Sequence, residues 1–223
     1  MSNNYVNLYS KIRDMAIKNI IFDFGGVIID IDEQLTINEF AKLGATDINK
    51  ATSAEFTELI RKFERGIFTP DIFRNKLRDF LDLSATDQEI DDAWNALLFD
   101  IPAERIEIIE QVKKNYNIFL LSNSNEIHYD LYVRDLQLRF DYNEFAELFH
   151  QAYFSFDVHL SKPDQEIYEF VIYQEGLIPE ETLFIDDRME NIEAAAKLGL
   201  QTYHLQKPER IRDIFKDGKF NKA

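Results

Sequence analysis

Residues 20–30 read IIFDFGGVIID, and this stretch decides the fold and supplies the first candidate for chemistry. Its apolar start, Ile20 to Phe22, is typical of a buried strand, and the strand ends at a carboxylate, Asp23. Glycines at positions 25 and 26 then let the chain turn. A carboxylate at the end of a buried strand is costly unless it has partners, so the stretch predicts a functional role for Asp23.

The same strand pattern recurs along the chain. Five short apolar runs predict strands: 18–23, 117–122, 152–156, 182–186 and 200–205. The runs are continuously apolar rather than alternating, which favours strands buried on both faces of a parallel sheet. Helical patterns precede the second, fourth and fifth runs, at 102–115, 163–176 and 189–198. The sequence therefore predicts a doubly wound α/β domain built on a five-stranded parallel sheet.

The first two strands are separated by far more residues than one crossover helix needs. Residues 33–100 read as several helices, with an N-cap and first-turn proline at Thr69-Pro70 and a capping box from Thr86 to Glu89. We expect a small helical cap domain at 33–100, inserted beside the carboxyl edge of the sheet, where open α/β folds bind ligands. The core then comprises residues 1–32 and 101–223.

The composition and charge of the chain indicate which classes of partner it is expected to bind. The chain has 223 residues, no cysteine and a formal net charge of −16, which disfavours nucleic-acid binding because like charges repel. No apolar run approaches the roughly 20 residues that span a bilayer, and residues 1–15 lack the apolar centre of a signal peptide. These features predict a cytoplasmic protein that binds neither nucleic acid nor membrane.

Polar residues follow four of the predicted strands at the point where each strand ends. They are Asp23, Ser122-Asn123-Ser124, Ser161-Lys162-Pro163 and Asp186-Asp187. The carboxyl ends of parallel strands meet at one edge of the sheet, so we expect these side chains to converge. Carboxylates suit Mg²⁺, Ser122 and the amides after it can hold phosphate oxygens, and Lys162 can neutralise charge. Such a set would let Asp23 attack phosphorus and form an aspartyl-phosphate that water hydrolyses.

This order of motifs resembles the haloacid dehalogenase superfamily over nearly the whole chain. The resemblance implies a strand order of 5-4-1-2-3, a cap that selects substrates, and Mg²⁺-dependent hydrolysis of a small phosphomonoester. It implies Asp23 as nucleophile and Lys162 as the motif lysine. By the same resemblance Ser122, Asn123 and Lys162 bind the phosphate, and Mg²⁺ is held by Asp23, the backbone carbonyl of Gly25, Asp186 and Asp187.

The chain departs from the family pattern at Gly25. The family's phosphatases usually carry a second Asp there, as acid to the leaving group and base to water. The glycine variant resembles a branch of sugar-phosphatases that contains bacterial α-glucose-1-phosphatase. Without that acid we expect a preference for leaving groups that depart readily, such as anomeric sugar phosphates. Asp30 and Asp32 are candidates for an acid displaced from position 25, with Glu33 and His128 as further candidates. The alternative interpretation places Asp30 and Asp32 on a solvated rim and His128 at the start of a surface helix.

Three other functions remain open at this point. Haloacid dehalogenases also lack the second acid and need no metal, but Asp186 and Asp187 would then have no task. A phosphomutase needs the missing acid to move its proton. A degenerate, non-catalytic binding domain would have no use for a nucleophile, a lysine and two metal acids.

The remaining candidates have structural interpretations. His150, His159 and His204 lack metal-ligand spacing, and the aromatic run from Tyr129 to Phe156 is typical of a core, part of which could serve as a dimer contact. Arg65 would either reach a substrate's distal group or form an ion pair at a helix end. The expected partner is a small phosphorylated metabolite, and the chain is expected to be a monomer or a homodimer.

Overall fold

The core of the protein is a five-stranded parallel sheet. A computed structural model describes residues 16–45 and 47–221; the first 15 and last two residues of the predicted core domain lie outside this range. The strands are β1 (Asn19–Phe22), β2 (Asn117–Ser122), β3 (Gln151–Phe154), β4 (Thr182–Asp186) and β5 (Gln201–His204). Their order, β3-β2-β1-β4-β5 with every pairing parallel, confirms the predicted order.

Both faces of the sheet are buried, as the continuous apolar runs predict. Ile20 and Phe22 of β1 belong to a hydrophobic cluster on one face, while Ile21 between them belongs to a second cluster on the other. Because successive strand side chains point to opposite faces, a strand covered on both sides needs an apolar residue at each position. The aromatic residues Phe145, Phe149 and Phe154 lie in the first cluster, so this part of the aromatic run is core.

Helices cover both faces of the sheet and connect its strands. They are α5 (Ala103–Lys113), α6 (Glu126–Phe140), α7 (Phe145–Leu148), α8 (Ser155–Val158), α9 (Gln165–Glu175), α10 (Met189–Lys197) and α11 (Ile211–Ile214). A short hairpin of β6 (Phe215–Lys216) and β7 (Lys219–Phe220) ends the described chain. No helix in the described ranges is both long enough and apolar enough to cross a membrane.

Two predicted boundaries are wrong near the third strand. The run 152–156 was expected to be a strand throughout, but β3 ends at Phe154 and Ser155 begins α8. The Ser155 hydroxyl accepts a hydrogen bond from the Ser124 amide, and its one proton lies within reach of the Glu64 and Ser124 carbonyls; these contacts hold the chain where it turns into α8. Pro163 does not open a helix either: α9 begins only at Gln165, after a turn in which the Asn123 side chain accepts a hydrogen bond from the Lys162 amide.

In the described part of the chain, four helices are inserted between β1 and α5. They are α1 (Glu33–Lys42), α2 (Ala54–Glu64), α3 (Pro70–Leu81) and α4 (Asp87–Asn95), with a 3-10 turn at Ile48–Thr52. We call them the inserted helices. The predicted caps are confirmed, since Thr69 caps α3 and Thr86 with Glu89 forms a capping box on α4.

The inserted helices pack around a separate hydrophobic cluster, which also includes Ile127 of α6. Its larger members include Phe40, Phe56, Phe63, Phe73, Leu77, Leu81, Ile90 and Trp94. The segments that lead into and out of the inserted helices pair with each other. Ile31 and Leu98 form an antiparallel β-bridge, and the Asp32 amide donates to the Leu97 carbonyl at 2.9 Å. This arrangement places the inserted helices over the carboxyl edge of the sheet.

Candidate active site

Asp23 and Lys162 form a buried ion pair at the carboxyl edge of the sheet. The Lys162 Nζ donates to Asp23 Oδ1 at 2.6 Å and to Asp186 Oδ2 at 2.8 Å. The three side chains come from the ends of β1 and β4 and from the loop after α8. The structure therefore brings these three side chains together at one edge of the sheet, as the sequence predicts.

Asp186 is the most completely bonded of these carboxylates. Besides Lys162, its oxygens accept from the Arg188 amide at 2.8 Å and from Asn191 Nδ2 at 2.9 and 3.0 Å. The side chain has no exposed area. Full bonding offsets the cost of burying the charge, and it fixes the orientation of Asp186 and, through it, of Lys162.

Asp187 faces the same space with a freer side chain. Its carboxylate accepts no hydrogen bond from another residue in the described part of the chain, and it lies against Gly26. A Cβ at position 26 would lie 2.2 Å from Asp187 Oδ2, so this approach requires the glycine, whose φ is +76°. Oxygens of Asp23, Asp186 and Asp187 lie within 4.8 Å of one another, a set of hard donors that fits a divalent cation.

The electrostatics of this cluster also favour a bound cation. Burial raises the pKa of Asp23 to about 7, a shift opposed by the charge of Lys162 and reinforced by Asp186. Burial and the neighbouring Asp186 also raise the pKa of Asp187. For Lys162, burial lowers the pKa but the two flanking carboxylates outweigh it, so the lysine stays charged. One lysine thus faces three acids, and an added cation would favour their ionised forms.

Ser122 and Asn123 follow β2, but their side chains have different surroundings. Ser122 is buried beside the cleft, and among the described residues its hydroxyl makes only a long hydrogen bond of 3.4 Å, to the Asn123 carbonyl. The Asn123 amide instead joins two loops, since its Nδ2 donates to the Lys162 carbonyl at 2.8 Å and its Oδ1 accepts from the Lys162 amide at 2.9 Å. The Asn123 side chain therefore holds the main chain at Lys162, and its own main-chain amide is the group left for the predicted phosphate contact.

A cleft of about 230 Å³ lies between the sheet edge and the inserted helices. The core contributes Asp23, Gly25, Ser122, Lys162 and Asp187 to its lining. The inserted helices contribute two carboxylates, Glu33 and Glu64. Every member of the predicted nucleophile, phosphate and metal sets except Asp186, which is wholly buried behind Lys162, lines this one cleft.

The structure does not bring Asp30 or Asp32 into this cleft. Asp30 pairs with Arg105 at 3.0 Å and lies 3.6 Å from Arg210. Asp32 caps α1, accepting from the Gln34 amide at 3.0 Å. Both candidates for a displaced acid are therefore engaged outside the cleft.

His128 is buried, contrary to the expected surface helix start. Its ring stacks on Trp94 at 5.0 Å, and its two nitrogens lie within hydrogen-bond distance of Asn125 and of the Trp94 carbonyl. Burial lowers the pKa of His128 to about 4, so the ring is neutral at physiological pH. The apolar packing between α4 and α6 that causes this is a tertiary contact, which the local sequence does not reveal.

Arg65 forms the ion pair that was one of its two interpretations. Its Nη1 lies 3.4 Å from Asp164 Oδ2, the same oxygen that Arg61 contacts at 2.7 Å. The three other histidines have structural partners as expected; His204, for instance, lies 2.9 Å from the Asp187 carbonyl. Glu64, which lines the cleft at the end of α2, is not among the sequence-predicted candidates.

Comparison with known proteins identifies the class. The haloacid dehalogenase-like hydrolase family matches residues 17–199, so the chain belongs to this family, and the predicted superfamily is confirmed. D-ribitol-5-phosphate phosphatase of Bacteroides thetaiotaomicron is 32% identical over 188 residues, 84% of this chain and 91% of that protein. These two findings confirm the predicted enzyme class, a phosphoric monoester hydrolase.

Two further relatives agree with this class. A sesquiterpene phosphatase of Aspergillus oryzae is 27% identical over 195 residues, covering 84% of this chain and 89% of its own. A solved family enzyme from Bacteroides thetaiotaomicron, in complex with magnesium and inorganic phosphate, is 32% identical with a TM-score of 0.82; the match covers 90% of this chain and 100% of that one.

Proposed function

We propose that the protein is a Mg²⁺-dependent phosphatase that hydrolyses a small sugar or polyol phosphomonoester through an aspartyl-phosphate on Asp23. The observation that carries the proposal is the buried contact of Lys162 with Asp23 and Asp186, beside the open carboxylate of Asp187. The relative that acts on D-ribitol 5-phosphate supports the substrate class, and the neighbour with bound magnesium supports the cofactor.

The residues present fit a magnesium ion. Asp23, Asp186 and Asp187 would hold it with their carboxylates, together with the Gly25 carbonyl that the family resemblance implies. When bound, the ion neutralises charge on the substrate phosphate and reduces repulsion between that phosphate and the carboxylates.

The chain's own residues orient the nucleophile. Lys162 holds Oδ1 of Asp23 at 2.6 Å, which leaves Oδ2 to attack phosphorus. In this step an Oδ2–P bond forms as the bond from phosphorus to the leaving oxygen breaks. We expect Ser122, the amides after it and Lys162, which line the cleft, to hold the phosphate oxygens. Water then attacks phosphorus, releases inorganic phosphate and restores Asp23.

The inserted helices would act as a cap that covers the cleft containing Asp23 and Lys162. They close the cleft to about 230 Å³, which suits a small substrate, and they reach the core through two adjacent connections. We expect substrates to enter when this layer moves as a unit around those connections. A metal-free dehalogenase or a non-catalytic domain would not explain why Asp23, Asp186 and Asp187 are buried close together despite their mutual repulsion.

A phosphate-release screen over sugar, polyol and aryl phosphates, with Mg²⁺ or with EDTA, tests the proposal. We expect turnover that requires Mg²⁺ and is lost in Asp23→Asn. Asp32→Asn is the matched control, because this helix cap lies outside the cleft and should retain activity. Halide release without metal, or no release of either product, would contradict the proposal.

A further inference from the structure

The cleft holds two carboxyl groups that the proposed mechanism does not use, Glu33 and Glu64. Glu64 is the last residue of α2, and it lines the same cleft as Asp23 and Gly25. Its position suggests that it could act as the general acid and base, the role of the aspartate that is absent at position 25. Any such role for Glu64 rests on the proposed phosphatase function.

The core holds the main chain around Glu64 firmly in place. The Ser155 hydroxyl donates to the Glu64 carbonyl. At the next residue, Arg65 pairs with Asp164, two positions after the lysine of the site. Gly66 then passes so close to the core that a Cβ there would lie 2.2 Å from the Phe156 carbonyl oxygen. The end of α2 is thus fitted to the loops that carry the site.

The side chain of Glu64, in contrast, has no hydrogen-bond or ion-pair partner among the described residues. The charged groups that face it are Arg188, Glu33 and Lys162, and it is partly buried. Burial raises its pKa to about 7, with Arg188 opposing and Glu33 reinforcing that shift. A carboxyl with such a pKa can donate a proton and take one back near neutral pH.

The other groups considered for this role are unsuited to it. Asp30 and Asp32 are engaged outside the cleft, and His128 is neutral and bonded on both nitrogens. Glu33 lines the cleft but is exposed to solvent at the start of α1.

Position 25 itself does not demand glycine for its backbone. A Cβ there would lie 3.4 Å from Ile31 Cδ1, which is an ordinary contact, and φ is not positive. Gly25, Asp23 and Glu64 all line the same cleft, so an acid supplied by Glu64 would share this space with the nucleophile.

We propose that Glu64 is the general acid and base of the reaction, supplied by the inserted helices. As Asp23 Oδ2 bonds to phosphorus, the Glu64 proton passes to the leaving oxygen, so the product departs as an alcohol. The Glu64 carboxylate then takes a proton from the water that attacks the phosphoryl group. This step forms the new bond from oxygen to phosphorus, breaks the bond to Asp23, and returns Glu64 to its protonated form.

This role changes the expected substrate class. The preference for anomeric phosphates follows only from the lack of an acid, and Glu64 supplies one. Primary-alcohol phosphates, whose leaving oxygens are strongly basic, then become good substrates. Proton transfer also depends on closure, because Glu64 is in place only while the inserted helices cover the site.

The test compares Glu64→Gln with Glu58→Gln, a matched control on the exposed side of the same helix. The substrates are D-ribitol 5-phosphate, hexose 6-phosphates and p-nitrophenyl phosphate, with saturating Mg²⁺. We expect Glu64→Gln to lower kcat/KM on the fastest alkyl ester by about 10²–10⁴-fold, and on the aryl ester by no more than about threefold. Removing the base should also slow hydrolysis of the intermediate, giving a burst of nitrophenol.

A pH profile provides a readout that a structural role would not change. In the wild type, kcat/KM for the alkyl ester should fall as pH rises through about 7, because Glu64 loses the proton it must donate. Glu64→Gln should lack this fall, and its thermal unfolding should match that of the wild type.

Several outcomes would overturn the role of Glu64. They are an unaffected alkyl activity in Glu64→Gln, an equal loss on both ester types, or a wild type that hydrolyses the aryl ester and no alkyl ester. A wild type that releases phosphate from neither type would instead overturn the proposed function, and the role of Glu64 with it.

Discussion

Lys162→Met is the substitution whose cost to stability the structure defines best. The lysine is 2% exposed and contacts two carboxylates that are themselves 10% and 0% exposed, at 2.6 and 2.8 Å. Methionine keeps most of the volume but leaves Asp23 and Asp186 buried without their cation. Breaking a buried ion pair from one side costs ~3–5 kcal/mol, so we expect the free energy of unfolding to fall by that amount at pH 7.

The matched control is Lys18→Met. Lys18 pairs with Glu181 at 2.9 Å, nearly the same separation, but its side chain is 63% exposed. An exposed ion pair contributes ~0–1 kcal/mol to stability, so Lys18→Met should lower the free energy of unfolding far less than Lys162→Met. If distance alone set the strength of an ion pair, the two variants would lose equal amounts. Urea unfolding in EDTA measures both variants without a metal to compensate for the missing charge.

The pH dependence of this cost has a defined sign. Without Lys162, the pKa of Asp23 rises further above its unfolded value near 3.8. The native state then binds more protons than the unfolded state between about pH 4 and that raised pKa, so stability falls as pH rises through this window. The deficit should be largest at pH 7–8 and shrink towards pH 4. A cost equal to that of Lys18→Met, or one that does not vary with pH, would refute the reasoning.

Three further predictions concern groups around the site. The buried His128 takes up a proton only on unfolding, so the free energy of unfolding should fall by up to about 3 kcal/mol as pH drops from 6.5 to 4. Gly26→Ala should cost about 1–2 kcal/mol and displace Asp187, whereas Gly25→Ala, whose Cβ meets only Ile31, should cost less. Asp187→Asn should abolish the rise in Tm caused by Mg²⁺ while leaving the metal-free Tm unchanged or higher.

Each of these has its own control and contrary result. The same pH slope in His128→Gln would show that another group titrates. Equal effects of alanine at positions 25 and 26 would mean that the contact at Gly26 is unimportant. A Tm shift with Mg²⁺ that survives Asp187→Asn would leave Asp23 and Asp186 as the metal's main ligands.

The fold could be predicted because its strands are buried on both faces. Runs such as NIFLLS at 117–122 and TLFID at 182–186 have no polar interruption, and each coincides with an observed strand. Once those strands are parallel, their ends must meet, so Asp23, Lys162 and Asp186 converge although up to 163 positions separate them. Chemistry at strand ends is therefore readable from local patterns.

Residues whose roles depend on packing between layers could not be predicted in this way. The end of β3 depends on what the Ser155 hydroxyl contacts, and the state of His128 depends on Trp94, 34 positions earlier. Arg105, whose pairing draws Asp30 away from the cleft, carries no local signal of that contact. Tertiary contacts decide all three.

Glu64 illustrates the same limit at the site itself. It lies on an inserted helix, and only the approach of that helix to the sheet brings it to the cleft. The glycine two residues later was a usable signal, because a glycine at a helix end can mark a close approach to another segment. At Gly66 that segment is the Phe156 carbonyl.

Trapping the phosphorylated enzyme tests covalent catalysis at Asp23 most directly. Wild type mixed with substrate and Mg²⁺ is quenched in acid within milliseconds, digested, and mapped by mass spectrometry. We expect a phosphoryl group on the peptide that contains Asp23, converted by borohydride to homoserine at that position, and absent in Asp23→Asn or in EDTA. Steady phosphate release with no label on that peptide, or with the label on another residue, would contradict an aspartyl-phosphate at Asp23.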